Sequence, residues 1–258
     1  ATVTFNVLGP GCTASAQNKL EQTAQKPIDA DAFLSKHDRR GTHLWTRQIG
    51  TSAEDVSLGT TTDLLGNIFL AGYTGGALTD TTNAGGLDAF LIKFSDSGRE
   101  LWRRQFGSPG DDVALALTTD AEGDVYVVGQ TSSSFAEHSS AGEVDLYLIK
   151  FDSGGLLQWS QQWGTTGHDL GAELALDVNG QLNLLGLSVL DVPRTQVEYF
   201  YSRFDSSTGE LLWTLPLETE VPVASGLSLD YTGSAFLAHP SSNELNLNQA
   251  PVLEYRPD

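Results

Sequence analysis

The charged side chains of this 258-residue chain recur at fixed intervals. Asp63, Asp120, Asp177 and Asp230 each stand three residues before a glycine. An aspartate beside a glycine could serve calcium, but a calcium loop needs several oxygen ligands converging within one short segment. One aspartate per loop suits a turn instead, with its carboxylate capping the backbone while the glycine takes a positive φ. Lys36, Lys93, Lys150 and Arg203 form a second recurring set, and Asp55, Asp112 and Asp169 a third. Opposite charges repeated in every unit read as a repeated structural ion pair. The expected partners are Asp112 or Asp88 for Lys93, and Asp169 or Asp145 for Lys150. Trp45, Trp102, Trp159 and Trp213 also recur. They could stack on sugar rings, but the expectation is burial between units, because large aromatics bury much apolar area.

The remaining candidates for chemistry are weak. The five histidines, His37, His43, His138, His168 and His239, lack metal-ligand spacing. No Gly-x-Ser-x-Gly elbow or phosphate-binding Gly-Lys-Ser/Thr loop occurs in the sequence. Glu54-Asp55 and Asp111-Asp112 are adjacent, so in a strand each pair points to opposite faces and makes no acid/base couple. The sequence reads as non-enzymatic, with no cofactor and no catalytic or metal site.

The elements that position these residues follow from the same recurrence. Trp45, Trp102 and Trp159 are spaced by 57 residues, as are Gly50, Gly107 and Gly164, and Gly72, Gly129 and Gly186. Trp213 follows Trp159 after 54 residues, in a more divergent copy. Within a unit the pattern has period two: Ala89–Phe94, Leu101–Phe106, Val113–Thr119 and Asp124–Gln130 read as four strands. Four strands per repeated unit is the pattern of a β-propeller. The fold class is therefore all-β, a propeller of four-stranded blades forming one domain over 1–258. Five blades are expected, at about 1–50, 51–107, 108–164, 165–215 and 216–258, with four as the alternative. The innermost strands are Val56–Thr62, Val113–Thr119, Leu170–Leu176 and Val223–Leu229. By its spacing to Asp31, Thr2–Val7 is expected at an innermost position as well. The only helical candidate is Gln17–Gln25.

The second unit carries a family likeness in Asp88, Phe90, Lys93, Gly98, Trp102, Gly107, Asp112, Asp120, Gly123, Tyr126, Gly129 and Thr131. It resembles the bacterial β-propeller repeat called SBBP, and the likeness covers about residues 31–239. The resemblance implies the fold, and a setting in exported or surface-associated proteins. It implies no shared activity or catalytic residue.

Composition narrows the partners. The net charge of −19 disfavours nucleic acid and anionic membrane surfaces, and no apolar run is long enough for a membrane-spanning helix. Cys12 is the one cysteine, so an intrachain disulfide has no second thiol. A start at Ala1 reads as signal-peptide removal, and the expected location is extracellular or at the cell surface, with the periplasm as alternative. The variable loops Gly75–Leu87, Ser132–Val144, Leu190–Val197 and Pro240–Pro251 are polar and poor in basic residues, a contact surface more than a reaction centre. The first expectation for function is a scaffold for protein–protein association, self-assembling through an N-terminal strand (Val3, Phe5, Val7) and an incomplete last blade (Val252, Leu253, Tyr255). A lectin-like module that binds surface glycan is the alternative, and a propeller polysaccharide lyase or hydrolase ranks third.

Overall fold

The computed structural model describes residues 2–4, 30–79, 82–135, 137–190, 197–217, 226–230, 233–238 and 252–255. Phe5, Val7, Cys12, Gln17–Gln25 and His239 lie outside these residues. The first sheet holds β1 (Thr2–Thr4), β2 (Ala32–His37) and β3 (His43–Ile49). The second holds β4 (Asp55–Thr62), β5 (Ile68–Thr74), β6 (Asp88–Phe94) and β7 (Glu100–Phe106). The third holds β8 (Asp112–Thr119), β9 (Val125–Thr131), β10 (Asp145–Phe151) and β11 (Leu157–Trp163). The fourth holds β12 (His168–Leu176), β13 (Gln181–Val189), β14 (Val197–Asp205) and β15 (Leu211–Leu217). The fifth holds β16 (Gly226–Leu229), β17 (Ala235–Ala238) and β18 (Val252–Tyr255). Every sheet is an antiparallel meander in chain order.

Strand β6 shows how the period-two pattern becomes a stack of sheets. Ala89 and Leu91 pack with Ala114, Val125 and Val127 of the third sheet. Phe90, Ile92 and Phe94 pack with Leu34 and Ile49 of the first. One strand therefore serves two cores, and all seven of its residues are buried. Strand β10 repeats the division: Tyr147, Ile149 and Phe151 face the second sheet, while Leu146 and Leu148 face the fourth. Each fully buried side chain of this size contributes about 1.5–3 kcal/mol, so the stacking of sheets is the main source of stability. The strands nearest the axis meet in series, β4 on β8, β8 on β12 and β12 on β16. This is a β-propeller.

Register breaks recur with the sequence repeat. They fall between Ser57 and Gly59, Ala114 and Ala116, and Gly171 and Glu173 in the inner strands. Others follow Lys36, Lys93, Lys150 and Arg203 in the third strand of each unit. A bulge adds right-handed twist, and its repetition coils each sheet alike. In the inner turns, Asp120 Oδ1 accepts hydrogen bonds from the Glu122 and Asp124 amides at 3.1 and 2.8 Å, with Gly123 at φ 81°. Asp63 and Asp177 cap their turns in the same way.

The N-terminal strand differs from expectation. β1 pairs antiparallel with β2, with Val3 opposite Lys36. That is the second place from the axis, the place β5 holds opposite Lys93, and not the innermost. Consecutive antiparallel strands tend to pair, and no described strand lies between β1 and β2.

Candidate functional site

The recurring cations sit at the end of each sheet that carries the inner turn. Lys93 Nζ lies 3.3 Å from Asp63 Oδ2 and over the Phe69 ring at 4.7 Å. It also donates to the Ser153 carbonyl of the next sheet at 3.1 Å. Lys150 lies 3.0 Å from Asp124 and 3.7 Å from Asp120, over the Tyr126 ring. Arg203 pairs with Asp177, and Lys36 with Asp96 of the second sheet. The ion pairs exist, but the partners are the turn aspartates and not Asp88, Asp112, Asp145 or Asp169. The reason is distance: Asp88 and Lys93 are five residues apart on one extended strand, about 17 Å. Burial alone would raise the Asp63 pKa, but hydrogen bonds from Asn67 and Lys93 overcome it and hold the carboxyl below its usual value. Burial likewise disfavours the Lys150 charge, and Tyr126 and Asp124 outweigh it, so this ammonium holds its proton more tightly than an ordinary lysine.

The tryptophans join one sheet to the next. Trp45, Trp102 and Trp159 donate their ring N–H to the carbonyls of Asp96, Ser153 and Ser206 at 3.1–3.2 Å. Gly155 shows the fit: its φ of 81° places it so close to Trp102 that a Cβ would lie 2.9 Å from the ring. Arg104 completes the joint, its Nε donating to the Gly155 carbonyl at 2.6 Å. These tryptophans are half-buried, less than the sequence suggested, because they lie on outer strands and cover a turn instead of a core centre.

The opposite end of the second and third sheets holds a polar clamp. In the second sheet, Gln105 Nε2 donates to Asp88 Oδ2 and the Gly76 carbonyl, both at 2.8 Å. Its Oε1 accepts the Leu78 amide at 2.7 Å. In the third sheet, Gln162 does the same with Asp145, Ser133 and Phe135. The clamp fixes the loop between the second and third strands so that one apolar side chain enters the space between sheets. Leu78 packs with Ile49 and Phe90. Phe135 stacks on Tyr147 at 4.9 Å and meets Phe106 edge-on at 6.2 Å. Beside the clamp, Asp112 accepts the Ser108 amide and hydroxyl at 2.6 and 2.9 Å. Burial pushes its carboxyl above the ordinary value, and the Asp88 charge adds to the rise.

The fourth sheet departs from this plan. Pro216 stands where Gln105 and Gln162 stand, and Glu198 where Asp88 and Asp145 stand. The loop Leu190–Val197 has eight residues against thirteen in Gly75–Leu87 and Ser132–Val144. Between the third and fourth sheets lies a cleft of about 320 Å3 lined by Trp163, Asp169, Glu198, Phe200, Thr214 and Pro216, among others. Trp163 and Phe200 occupy the places of Phe106 and Tyr147, the two walls that hold Phe135 in the sheet before. Glu198 is exposed at this cleft. Asp169 is spent on the Thr165 amide and the Ser188 hydroxyl.

The residues singled out for assembly lie elsewhere. Val3 is in β1, and Val252, Leu253 and Tyr255 are in β18, opposite Ala238, Leu237 and Ala235. The structure does not bring these two strands into one sheet. Phe5 and Val7 are outside the described residues. Trp163, Glu198, Phe200 and Pro216 were not singled out from the sequence. The signal that could have found them is a broken column: Gln48, Gln105 and Gln162 give way to Pro216. His37 and His43 meet edge-on at 5.4 Å. Among the described residues no group of three or more His, Cys, Asp or Glu side chains converges.

Comparison with known proteins agrees with this architecture. The chain is 27% identical over 175 residues to the regulatory protein FlaEY of Caulobacter vibrioides, which covers 61% of this chain and 18% of that protein. It is 29% identical over 108 residues to the uncharacterized WD repeat-containing protein L264 of Acanthamoeba polyphaga mimivirus, covering 38% of this chain and 8% of that one. The chain thus spans less than a fifth of either relative. Among solved structures, a polysaccharide lyase of family PL25, an ulvan lyase, superposes with a TM-score of 0.49 at 11% identity, over 83% of this chain and 56% of the other. Residues 44–78 and 101–136 match the family described as SBBP, β-propeller repeat.

Proposed function

We propose that this chain is a non-enzymatic, exported β-propeller scaffold that associates with other protein chains, its own copies included. The observation that carries the reading is the strand count of the flanking sheets. Three sheets have four strands, whereas the first and fifth have three among the described residues. The first sheet has no described strand inside β1, and the fifth has none outside β18. An open edge is a row of unpaired backbone donors and acceptors that templates pairing with another strand. The complete sheets guard their outer edges: β15 carries Pro216, which offers no N–H, and β7 and β11 use Trp102 and Trp159 to reach the next sheet. The recurring charges also support a scaffold, because Asp63, Lys93, Lys150 and Arg203 are engaged inside the fold. The spaces between sheets are not equivalent, since Leu78 and Phe135 fill two of them, which favours protein association over a lectin with repeated pockets.

Sedimentation of the intact chain and of a chain lacking residues 1–11, across a concentration series, tests this. The intact chain assembles, and the shortened chain assembles more weakly. Identical behaviour of the two, or a monomer at every concentration, removes the proposal.

A further inference from the structure

The tryptophan joint between neighbouring sheets is built three times in this chain, and its receiving half is present a fourth time. In each joint a tryptophan lies on a glycine in the turn that precedes the next sheet's outer strand: Trp45 on Gly98, Trp102 on Gly155 and Trp159 on Gly209. A Cβ at any of these glycines would lie 2.7–2.9 Å from the ring, and each indole N–H donates to a carbonyl of the same turn. The side chain two residues after the tryptophan grips that turn as well. Arg47 and Arg104 donate to the Gly98 and Gly155 carbonyls, and Gln161 to the Thr208 carbonyl. The turn before β3 in the first sheet has the same form. Gly41 has a φ of 83°, against 76° at Gly98 and 81° at Gly155. Its amide donates to the Asp38 carbonyl at 2.9 Å, as the Gly98 amide does to Ser95 at 2.8 Å. Yet a Cβ at Gly41 would meet nothing within 4 Å. Gly41 is exposed, whereas Gly98, Gly155 and Gly209 are buried.

We propose that this turn of the first sheet, residues 38–41, docks an extended strand of a partner protein that reads Trp-x-Glu. The tryptophan follows from the three filled joints. None of the five tryptophans in these 258 residues is left for it, since all lie on β3, β7, β11 and β15. Three fill the joints above, and Trp163 and Trp213 pack against the Phe204 and Tyr201 rings. A second folded copy therefore has none to spare either. The glutamate follows from charge. Arg39 and Arg40 stand where the next turns have Asp96 and Ser97, then Ser153 and Gly154. Both arginines are exposed, and neither is in an ion pair among the described residues. Arg47 and Arg104 reach the Ser97 and Gly154 carbonyls of their turns at 3.4 Å. A cation in that place would meet Arg40 here, whereas a carboxylate would pair with it. Adjacent exposed arginines in a chain with 14 basic and 33 acidic residues mark this turn for an acidic guest. The inference rests on the protein-association reading but uses a turn instead of the β1 and β18 edges, so the two can fail separately.

The experiment titrates the intact chain into the peptide Leu-Gln-Trp-Ser-Glu-Gln, which copies residues 157–162 of β11 with glutamate in place of Gln161. The peptide tryptophan carries a fluorine atom, and binding is read by fluorine NMR. A saturable shift of the signal is expected. The unlabelled peptide displaces the labelled one, and a peptide with alanine for tryptophan does so about tenfold more weakly. Gly41→Asn puts a side chain in the path of the ring, at a φ that asparagine tolerates, and weakens binding as much. Arg40→Glu weakens this peptide severalfold and does not weaken Leu-Gln-Trp-Ser-Arg-Gln. No saturable shift overturns the proposal, as does binding that Gly41→Asn leaves unchanged. Self-association without peptide that Gly41→Asn abolishes also overturns it, because the occupant is then a second copy. Assembly that depends on residues 1–11, with no peptide binding, removes this proposal and leaves the strand-edge reading standing. Peptide binding that survives the removal of residues 1–11, with assembly lost or never present, shows that the turn acts apart from the strand edges.

Discussion

The third and fourth sheets share a frame and differ at one end. Both have four strands in the same order, both break register after the basic residue of their third strand, and both pair that residue with the aspartate of their inner turn. At the other end, the third sheet is clamped by Gln162 on Asp145 and filled by Phe135. The fourth has Pro216 and Glu198 in those places, at a cleft lined by Trp163 and Phe200. The frame evidently does not depend on the clamp. The β14–β15 pairing survives with its register intact across Pro216, opposite Phe200. What the clamp decides in the second and third sheets is how the loop between their second and third strands is held. A repeat protein can therefore change its surface at one unit without changing its fold, because each unit contacts only its neighbours.

Replacing the aromatic residue of each region puts the largest strain on this comparison. Phe135→Ala removes a side chain that is 4% exposed and stacked on Tyr147, and should cost about 3–5 kcal/mol in urea unfolding. Phe200→Ala, at a half-buried wall of the cleft, should cost about 1 kcal/mol. Equal losses at the two sites would mean that the fourth cleft is packed as tightly as the third.

The clamp itself comes next in magnitude. Gln162→Ala strips a hydrogen bond from Asp145, which is buried, and from the Phe135 amide. A loss of about 1–3 kcal/mol is expected, with faster amide exchange at Phe135 and no change at Trp213. A variant as stable as the parent would show that the loop is held by Phe135 alone.

The smallest effect at neutral pH belongs to Tyr147, whose counterparts in the neighbouring sheets are Phe90 and Phe200. Its hydroxyl is buried without a hydrogen-bond partner, so Tyr147→Phe should change stability by less than about 1 kcal/mol near pH 7. The difference emerges in alkali. Burial, with the Asp112 charge behind it, pushes the Tyr147 pKa well above the usual phenol value. A raised folded pKa means that this group's contribution is intact below the unfolded value near ~10 and is lost as pH rises beyond it. Tyr147→Phe should therefore flatten the fall in stability above that pH. An unchanged alkaline limb would place the sensitivity elsewhere.

Much of the fold was legible because it depends on local rules repeated many times. Ala89–Phe94 alternates, and its two faces go to two cores. Asp120 and Gly123 meet the needs of one turn, and they meet them in a tight turn here. The ion pairs were legible as a set but not as partners. The rise of an extended strand already separates Lys93 from Asp88, while the nearness of Lys93 to Asp63 depends on two successive pairings, β4 with β5 and β5 with β6. The position of β1 was misread for a similar reason: spacing along the chain was compared with a distant unit, whereas the strand simply joined the next one.

The candidate cleft lies at the far end of that scale. The residues that make it, Trp163, Phe200 and Pro216, sit on β11, β14 and β15 and span two sheets. Each one is an ordinary apolar residue in an ordinary strand. The amino-acid sequence alone determined the all-β class, the repeated four-stranded unit, the turns and the alternating faces, because those follow from backbone sterics and from side chains two residues apart. Tertiary structure alone decided which carboxylate meets which cation, how far the tryptophans are covered and which residues of neighbouring sheets line a cleft. Those outcomes depend on the distance between atoms on different strands, which pairing register and the stacking of twisted sheets set.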